Sequence, residues 1–487
     1  MSARVEVSGV SVATGHFIDN ERIDSVKTFE DRTPLDWSVK LADVSRGGAD
    51  DVDLALVAAV RAFPAWAALG PHERATYLRR LADLIDDHVE EIARVECLDM
   101  AMLEESLRLR VIKRGARNFR AYADLAASYE PRRWASNGTH NSVLRMPAGP
   151  TVVITPWNAP FMLSTWKCAP ALAAGNTVVL KPAEWSPLSA SLLMDLVAEA
   201  DFPPGVFNLV QGFGEEVGEA LVTDRRVRRI SFTGSPETGR RIGMAAARNL
   251  VPFTGELGGK GPFVVFADAD LDLAAETAAK MYDDAGQVCL AGTRLLVDEG
   301  VRDEFLDRFT TATELHVLGD SRDAVTTISP LIHPEHLARV EGFVERSLKS
   351  GDTLIFGGER LRADGLWYEP TLIEPRNNDA EIVQNEVFGP VLTFQTFSSD
   401  DEAVELANST PYGLSAMVFT SDQRTADRFG DGVRAGTVWV NCFLVRDLTA
   451  PFGGTGISGV GREGGDYALD FHSDLKTYQV KEETTNG

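Results

Sequence analysis

The chain has 487 residues, of which 44% are hydrophobic and 25% charged, the composition of a globular protein with room for two or more domains. Asp and Glu outnumber Lys and Arg by 72 to 48, and the formal net charge of −24 argues against nucleic acid or a membrane surface as a partner. The N-terminus lacks the charged region and apolar run of a secretory signal, and no later stretch reaches about 18 uninterrupted apolar residues, so we expect a cytoplasmic protein.

The first strong pattern along the chain is helical. Between Pro71 and Met100 apolar residues recur at helical spacing with charged residues between them, which predicts one amphipathic helix. The arginine-rich stretch 113–120 follows. The segment 141–155 alternates and then becomes the dense apolar run TVVIT, which indicates that a sheet begins there.

Two alternations of strands and helices come next. Between residues 151 and 265, short apolar strands alternate with helical segments, a rhythm typical of βαβ units with a mostly parallel sheet. A second alternation runs from the helix that begins at Leu271 to the strand GTVWVN. The sequence therefore predicts two α/β domains with ligands at the carboxyl edges of their strands. Residues 482–487 are expected to be a disordered tail.

The four cysteines, Cys97, Cys168, Cys289 and Cys442, are far apart and form no CxxC pair, so they are expected to be free thiols. The histidines form no HExxH motif and no cluster with metal-ligand spacing, so no catalytic metal is expected. A lone cysteine is more often a small buried hydrophobe than a nucleophile. That reading suits three of them, whereas Cys289 is distinguished by the motifs elsewhere in the chain.

Cys289 ends the segment Gly286-Gln287-Val288-Cys289, and five further segments accompany it in a fixed order. They are TPWN at 155–158, KPAE at 181–184, FTGS at 232–235, ELGGK at 256–260 and EVFGP at 386–390. Each would recur by chance, but together and at these separations they resemble the aldehyde dehydrogenase superfamily. The resemblance extends from about residue 17 to the end of the chain.

The resemblance implies an aldehyde dehydrogenase-like α/β fold, with two Rossmann-type parallel-sheet domains and a small β oligomerisation segment. The implied NAD-binding domain comprises residues 1–137 and 150–257, and the implied catalytic domain residues 258–455. Residues 138–149 and 465–487 would supply oligomerisation strands that family members exchange between subunits. A homodimer or homotetramer is therefore expected.

The resemblance also implies a mechanism for aldehyde oxidation through a covalent thioester. Cys289 would add to the aldehyde carbonyl, and the Asn158 side chain with the Cys289 backbone N–H would stabilise the oxyanion. Glu256 would activate the water that hydrolyses the thioester. Standing alone, Asn158 would be interpreted as a turn residue and Glu256 as a surface carboxylate.

NAD is the implied cofactor. Lys181 and Glu184 would hold the adenosine ribose, Gly234 and Ser235 would open a helix facing the pyrophosphate, and Glu386 would hold the nicotinamide ribose beside Phe388. A glutamate at position 184 would repel a 2′-phosphate and so favour NAD over NADP. The glycine segment 212–218 could be a cofactor loop or a plain helix start. The full set of predicted cofactor residues is Thr155, Pro156, Trp157, Lys181, Glu184, Gly214, Gly218, Phe232, Gly234, Ser235, Leu257, Glu386 and Phe388.

Within the superfamily, the segments VNCFLVRDL, PFGG and GVGREGG most resemble the 2-hydroxymuconic and 2-aminomuconic semialdehyde dehydrogenases of aromatic-ring degradation. Arg446 stands where many relatives have an apolar pocket residue, and Arg114 matches a second carboxylate-binding arginine of that group. Guanidinium groups bind carboxylates bidentately, so a carboxylated, unsaturated semialdehyde is the expected substrate. Trp166 and Phe452 are the favoured aromatic residues of the substrate tunnel.

Alternatives remain for these assignments. Arg114 could be a solvated helix charge and Arg446 could pair with Asp447 or another acid, which would leave an uncharged aromatic or aliphatic aldehyde as substrate. A CoA-acylating enzyme would need no base at Glu256, and a non-catalytic binding protein would be expected to lose its nucleophile first. Two positions depart from the usual family pattern, Asp284 where asparagine is common and Gly456 where lysine is frequent.

Overall fold

The computed structural model describes residues 3–362 and 365–481. The predicted disordered tail at 482–487 lies outside the described residues. The strands are β1 Arg4–Val7, β2 Val10–Ala13, β3 His16–Ile18, β4 Glu21–Ile23, β5 Thr28–Arg32, β6 Lys40–Ser45, β7 Arg133–Ser136, β8 Thr139–Pro147, β9 Thr151–Ile154, β10 Val178–Lys181, β11 Phe207–Leu209, β12 Arg229–Thr233, β13 Phe253–Glu256, β14 Pro262–Val265, β15 Arg294–Asp298, β16 Thr353–Phe356, β17 Thr371–Glu374, β18 Val391–Phe397, β19 Ser415–Phe419, β20 Thr437–Val440, β21 Gly459–Val460 and β22 Ser473–Lys481.

The α-helices are α1 Ala49–Ala68, α2 Pro71–Asp87, α3 Val89–Met100, α4 Glu104–Ser106, α5 Ile112–Ala127, α6 Pro160–Ala173, α7 Leu188–Glu199, α8 Glu219–Thr223, α9 Pro236–Arg248, α10 Leu271–Ala279, α11 Arg302–Glu314, α12 Pro334–Lys349, α13 Glu381–Gln384, α14 Asp400–Ala407, α15 Gln423–Gly432 and α16 Gly465–Phe471. Two π-helical turns, Leu107–Val111 and Gly214–Gly218, precede α5 and α8.

The first large sheet has eight strands in the order β21-β13-β12-β9-β10-β11-β3-β4. Its five central strands are parallel, and short antiparallel strands close both edges. The central strands are buried along almost their whole length, as expected for a parallel sheet with helices on both faces. The prediction of a parallel α/β domain from the alternation at 151–265 is confirmed.

The second large sheet has seven strands in the order β16-β17-β18-β15-β14-β19-β20. All its neighbours are parallel except the edge pair β16 and β17. A separate apolar core of Phe263, Leu295, Phe394 and other buried residues fills one side of it. The second predicted α/β domain is therefore also present.

A third, three-stranded sheet has the order β22-β8-β7. The strands β8 and β22 pair antiparallel along nine residues each, from Thr139↔Lys481 to Pro147↔Ser473. The expected strands in 138–149 and 465–487 thus form one sheet. The strand Arg133–Ser136 also belongs to this sheet, although the implied NAD-binding segment extends to residue 137. Sequence alternation did not reveal this strand because all four of its residues are exposed.

The helix predicted from Pro71 to Met100 is wrong in one respect, because it is divided into α2 and α3. His88, with φ −107° and ψ 17°, ends the first helix and begins the second. No single helix in residues 3–362 and 365–481 is long and apolar enough to cross a membrane. The helices α1 and α2 meet those criteria only as a pair bent by 118°.

Candidate active site

Four adjacent parallel strands of the first sheet, β10, β9, β12 and β13, end at the same edge. The residues at or just after their ends are Lys181, Thr155, Thr233 and Glu256, so four of the motifs singled out in the sequence start here. Parallel strands bring their carboxyl ends together, and ligands of open α/β sheets bind outside that edge. The strand order thus brings these motifs together although about 100 residues separate the first from the last.

A first cavity of about 320 Å³ lies at this edge, and we call it the cofactor cavity. Ten of the thirteen predicted cofactor residues line it, namely Thr155, Pro156, Trp157, Lys181, Glu184, Gly214, Gly218, Phe232, Gly234 and Ser235. The glycine segment is therefore both a helix start, through its π-helical turn, and part of the cavity wall. Trp185, which the sequence did not single out, also lines this cavity.

Polar groups in the cofactor cavity suit a dinucleotide. The Lys181 ammonium donates to Glu184 at 2.8 Å, so a cation and a carboxylate are held side by side on this wall. Ser235 is the N-cap of α9, and its Oγ accepts from the Thr238 backbone N–H at 3.2 Å. The N-terminus of α9 presents the partial positive charge and N–H groups that bind phosphate oxygens. A ribose and a pyrophosphate thus both find matching groups here.

A second cavity of about 500 Å³, the catalytic cavity, adjoins the first. Pro156, Trp157, Trp185 and the turn 233–235 line both cavities, so a ligand can extend from one into the other. The remaining three predicted cofactor residues, Leu257, Glu386 and Phe388, line the catalytic cavity. So do all seven residues with predicted catalytic or substrate-binding roles, Cys289, Glu256, Asn158, Arg114, Arg446, Trp166 and Phe452.

Cys289 lies in a tightly wound loop between α10 and β15. Asp284, Ala285 and Gly286 before it have φ of 52°, 54° and 67°, the left-handed region that is costly for residues with a Cβ. The Asn158 side-chain amide donates to the Gln287 carbonyl at 2.9 Å, which fixes the amide beside this loop. Burial raises the pKa of Cys289 to about 12, and the Glu386 and Glu256 carboxylates add to the shift.

Glu256, at the end of β13, is buried, and neither of its carboxyl oxygens has a hydrogen-bond partner among the described residues. Burial, followed by repulsion from Glu463, holds the pKa of Glu256 well above its usual range, although Lys167 and Arg462 oppose the shift. A Cβ at Gly453 would lie 2.8 Å from Oε1 of this carboxyl group. Glycine at 453 therefore leaves the space that the carboxyl group occupies.

A buried polar network that the sequence did not predict lies behind Glu256. The Lys167 ammonium contacts Oε1 of Glu463 at 2.5 Å and donates to Ser231 Oγ at 3.1 Å, and the Trp166 indole donates to Oε2 at 2.7 Å. Lys167 and Glu463 are separated by 296 residues. Lys167 follows Trp166, and Glu463 lies in the segment GVGREGG. The position of Lys167 within an otherwise apolar helix was the one sequence feature that could have indicated a buried lysine.

Glu386 contacts the glycine pair of the ELGG segment. Its Oε1 accepts from the Gly259 backbone N–H at 2.7 Å, while a Cβ at Gly258 would collide with Oε2. A Cβ at Gly259 would collide with the Cys289 carbonyl oxygen. Burial raises the pKa of Glu386 to about 7, against the opposing effect of the Gly259 hydrogen bond. The two glycines thus permit the close approach of Glu386 from one side and the Cys289 loop from the other.

Phe388 stands at the boundary of the two cavities with a left-handed backbone, φ 61°. Its ring packs edge-on against Trp157 with centroids 5.3 Å apart, and the His336 imidazole hydrogen-bonds its carbonyl at 2.7 Å. Burial lowers the pKa of His336 to about 4, so this imidazole is neutral at ordinary pH. Tertiary contacts therefore hold Phe388 in a conformation that a β-carbon disfavours.

Arg114 and Arg446 approach one another across Trp166. The guanidinium carbon of Arg114 lies 5.5 Å and that of Arg446 6.0 Å from the centroid of a Trp166 ring, and Arg446 also lies 3.8 Å from the Phe452 ring. Arg114 donates to Asn118 Oδ1 at 3.0 Å. Neither arginine has a carboxylate within ion-pair distance in the described part of the chain, which includes Asp447. The predicted alternative of an Arg446–Asp447 pair is therefore wrong.

Two more arginines, Arg110 and Arg117, line the same cavity near Arg114. The π-helical turn at 107–111 and α5 place these residues at intervals of four and three, which is one helical face. In the sequence, Arg110 and Arg117 are distinguished only by lying in or beside an arginine-rich stretch. Two aromatic residues from nearby segments do not line the cavity: Phe161 is fully buried against Gly115, and Phe443 packs on Trp439.

The two departures from the family pattern have different surroundings. Asp284 lines the catalytic cavity, and burial together with repulsion from Asp283 raises its pKa to about 6. Gly456 has φ 59°, and a Cβ there would collide with the Pro411 carbonyl oxygen, so a lysine would not fit this backbone.

All four cysteines are free. Within residues 3–362 and 365–481, no three His, Cys, Asp or Glu side chains are grouped to hold a metal ion.

Comparison with known proteins agrees with this geometry. The profile of the aldehyde dehydrogenase family matches residues 22–478, and the chain belongs to that family. It is an NAD-dependent oxidoreductase that acts on aldehydes. The resemblance inferred from the six motifs is thereby confirmed.

Individual relatives differ in substrate. The chain is 39% identical over 481 residues to 2-hydroxymuconic semialdehyde dehydrogenase of Pseudomonas sp. (strain CF600), covering 96% of this chain and 99% of that protein. It is 36% identical over 477 residues to 2-aminomuconic semialdehyde dehydrogenase of Homo sapiens, covering 96% and 98%. The structure matches that of betaine aldehyde dehydrogenase from Staphylococcus aureus in complex with NAD+ with a TM-score of 0.94 at 35% identity, covering 97% and 96%.

Proposed function

We propose that this enzyme oxidises a carboxylate-bearing, unsaturated semialdehyde, similar to hydroxymuconic semialdehyde, to the corresponding acid through a thioester on Cys289. The observation that carries the substrate class is the pair Arg114 and Arg446, which line the catalytic cavity without a carboxylate partner among the residues that the structure describes. Many other arginines of this acidic chain form ion pairs, for example Arg145 with Asp466 and Asp470.

Electrostatics explain why this arginine pair requires an anion. Burial lowers the pKa of both guanidinium groups, and that of Arg114 falls to about 10, which its charged neighbours Arg446 and Arg117 reinforce. Each group still carries its charge at neutral pH. A substrate carboxylate between them relieves the repulsion and forms charge-assisted hydrogen bonds with planar donors.

The aldehyde end of such a substrate would lie at Cys289. The thiolate adds to the carbonyl carbon, and the carbonyl oxygen becomes an oxyanion. Asn158 keeps one amide hydrogen free after donating to Gln287, and this hydrogen with the Cys289 backbone N–H would stabilise the oxyanion. The faces of Trp166 and Phe452 suit the conjugated chain between the aldehyde and the carboxylate.

The cofactor cavity would hold NAD with Lys181 and Glu184 at the adenosine ribose, the N-terminus of α9 at the pyrophosphate and Glu386 at the nicotinamide ribose. When bound, NAD supplies the acceptor for the hydride that leaves the substrate carbon. Phe388, fixed by Trp157 and His336, would form the wall on which the nicotinamide ring rests.

Glu256 would act as the base that deprotonates water for hydrolysis of the thioester. Neither of its oxygens has a hydrogen-bond partner within 3–362 and 365–481, so both are available, and its high pKa makes it a better proton acceptor once ionised. The Lys167–Glu463 pair behind it provides a place to which the proton can pass. A CoA-acylating enzyme would not need this carboxylate at the thioester.

The test is NADH formation with 2-hydroxymuconic semialdehyde, benzaldehyde and hexanal, using wild type, Arg446→Met and Arg114→Met. We expect kcat/KM for the carboxylated substrate to fall by about 10²-fold in each variant relative to the other two aldehydes, since each loses a charge-assisted contact. An equal response of all three aldehydes to both variants would assign the substrate to the uncharged aldehydes instead.

A further inference from the structure

The surroundings of Cys289 oppose its ionisation. The thiol is half-buried by its loop, and the carboxylates of Glu386 and Glu256 face it across the cavity. Cys289 is not at the N-terminus of a helix, because it follows a short 3-10 segment and precedes β15. A reactive thiolate requires a nearby positive charge in such a place.

Few cations in this region are available for that role. Lys167 is tied to Glu463 and Ser231, and Lys181 is tied to Glu184. Arg114 donates to Asn118 and is itself repelled by Arg446 and Arg117. Arg446, in contrast, lines the same cavity as the thiol and has no ion-pair partner in the described part of the chain.

The loop that holds Arg446 is fixed by its neighbours. The Trp439 indole donates to the Val445 carbonyl at 2.9 Å, immediately before the arginine. Asn441, with φ 53°, exchanges side-chain hydrogen bonds with the Thr420 backbone at 2.9 and 3.1 Å. The guanidinium group itself packs on Phe452. These contacts restrict the position of the Arg446 side chain.

We propose that Arg446 has a second role besides anchoring the substrate carboxylate: its guanidinium stabilises the thiolate form of Cys289. This inference depends on the proposed function only in taking Cys289 as the nucleophile. Among the side-chain charges that act on the thiol, Arg446 is the one that favours ionisation, and Cys289 is in turn the leading charge that supports Arg446. The other charged and titratable groups that line the cavity with this pair are Glu256, Glu386, Glu463, Asp284, His336, Arg110, Arg114, Arg117 and Arg339, and Tyr122 acts on Arg446 from outside this lining.

Binding of an anion at Arg446 should change the reactivity of Cys289. A carboxylate bound on Arg446 neutralises the charge that the thiolate uses. Binding of a carboxylated molecule should therefore shift the Cys289 titration toward higher pH, whereas a molecule that merely blocks the thiol should lower the limiting rate without shifting the titration. Arg446 would thus link occupation of the anion site to the reactivity of the nucleophile.

The experiment measures alkylation of Cys289 by iodoacetamide as a function of pH in wild type, Arg446→Met, Arg446→Lys and Arg114→Met. Site-resolved mass spectrometry separates Cys289 from the half-buried Cys442, and no aldehyde is present. Arg446→Met should move the rate profile to higher pH by about one unit, which slows alkylation about tenfold below the midpoint. Arg446→Lys should restore most of the rate because it keeps the charge.

Arg114→Met is the matched control, since it removes a guanidinium from the same cavity wall and should leave the iodoacetamide profile unchanged. Circular dichroism and NAD binding establish that each variant is folded, and Arg446→Gln replaces Arg446→Met if the latter is not. Coincident profiles for wild type and a folded, uncharged Arg446 variant would overturn the proposal. So would an equal shift in Arg114→Met.

Iodoacetate distinguishes this inference from the proposed substrate class. The ratio of iodoacetate to iodoacetamide rates, relative to a free thiol, should fall in both Arg114→Met and Arg446→Met if the pair anchors anions. A lower ratio with an unshifted profile would keep the anion anchor and reject thiolate stabilisation. A shifted profile with unchanged ratios would support thiolate stabilisation and reject the carboxylated substrate.

Discussion

The cofactor cavity and the catalytic cavity meet at Trp157 but are assembled differently. Segments that directly follow neighbouring strands form most of the first, so its residues are concentrated in short motifs. The second draws on α5, the Cys289 loop and the segment 444–463, which packing alone brings together. Strand order therefore determines the cofactor side, whereas loop packing determines the substrate side.

The two cavities also differ in how their charges are balanced. In the cofactor cavity Lys181 is paired with Glu184 within the protein. In the catalytic cavity Arg114 and Arg446 have no such partner in residues 3–362 and 365–481, while Glu256 is buried without hydrogen bonds there. The lysine of the first cavity is thus neutralised within the protein, whereas the two arginines of the second would be neutralised by a ligand.

The largest expected effect is that of Cys289→Ala, which should abolish aldehyde oxidation and leave NAD binding unchanged. Cys289→Ala should lower kcat/KM for every aldehyde by at least about 10³-fold, because no other thiol lines the catalytic cavity. The Kd for NAD, measured by calorimetry, should remain within about twofold of wild type, since the cofactor cavity is untouched. Retained oxidation would contradict the thioester mechanism, and loss of NAD binding would show that the cavities are not independent.

Glu256→Gln should lower steady-state turnover by about 10²- to 10⁴-fold, because the amide cannot accept a proton from water. The first turnover should survive, so rapid mixing should show a burst of NADH close to one equivalent per active site. Mass spectrometry of the quenched enzyme should find the acyl group on Cys289. If turnover stays at the wild-type level, another group serves as base.

Glu184→Gln tests the internal balance of the cofactor cavity. Removing the carboxylate leaves Lys181 unpaired, and kcat/KM for NADP should rise by about tenfold because a 2′-phosphate is no longer repelled. The preference for carboxylated over uncharged aldehydes should not change. A variant that still rejects NADP to the wild-type extent would show that shape, and not the Glu184 charge, excludes the phosphate.

The smallest effect concerns Glu386, which lines the catalytic cavity and would hold the nicotinamide ribose. Its pKa of about 7 means that the carboxylate, the form that accepts hydrogen bonds from a ribose, forms as the pH rises through 7. NAD affinity should therefore increase about threefold between pH 6.5 and 7.5 and be lost in the same proportion as the pH falls. Glu386→Gln, measured by the same titration, should remove this dependence; an unchanged slope would assign it to another group.

Much of the fold could be predicted from the sequence because the apolar strands are continuous and the motifs follow them directly. The ten predicted cofactor residues that line the cofactor cavity belong to such motifs. The break at His88 was missed because the apolar spacing continues across it. The strand Arg133–Ser136 was missed because it carries no buried face.

The candidate site could be predicted where a residue belongs to a motif and not where it depends on distant packing. Cys289, Asn158 and Glu256 lie in motifs, and the structure brings them to one cavity. Lys167 and Glu463 belong to segments far apart in the chain, so nothing local indicates that they meet. The π-helical turn at 107–111 likewise has no composition that distinguishes it from the α-helix around it, yet it orients Arg110 toward the cavity.

The partition formed by Gly258 and Gly259 has a consequence for how the site could evolve. Glu386 approaches it from one side and the Cys289 carbonyl from the other, with no room for a Cβ on either. Only backbone atoms therefore separate the Glu386 carboxylate from the Cys289 loop, and any larger residue at 258 or 259 would push them apart. New substrates can be accommodated by substitutions around Arg114 and Arg446, whereas the distance between Glu386 and the Cys289 loop requires glycine at both positions.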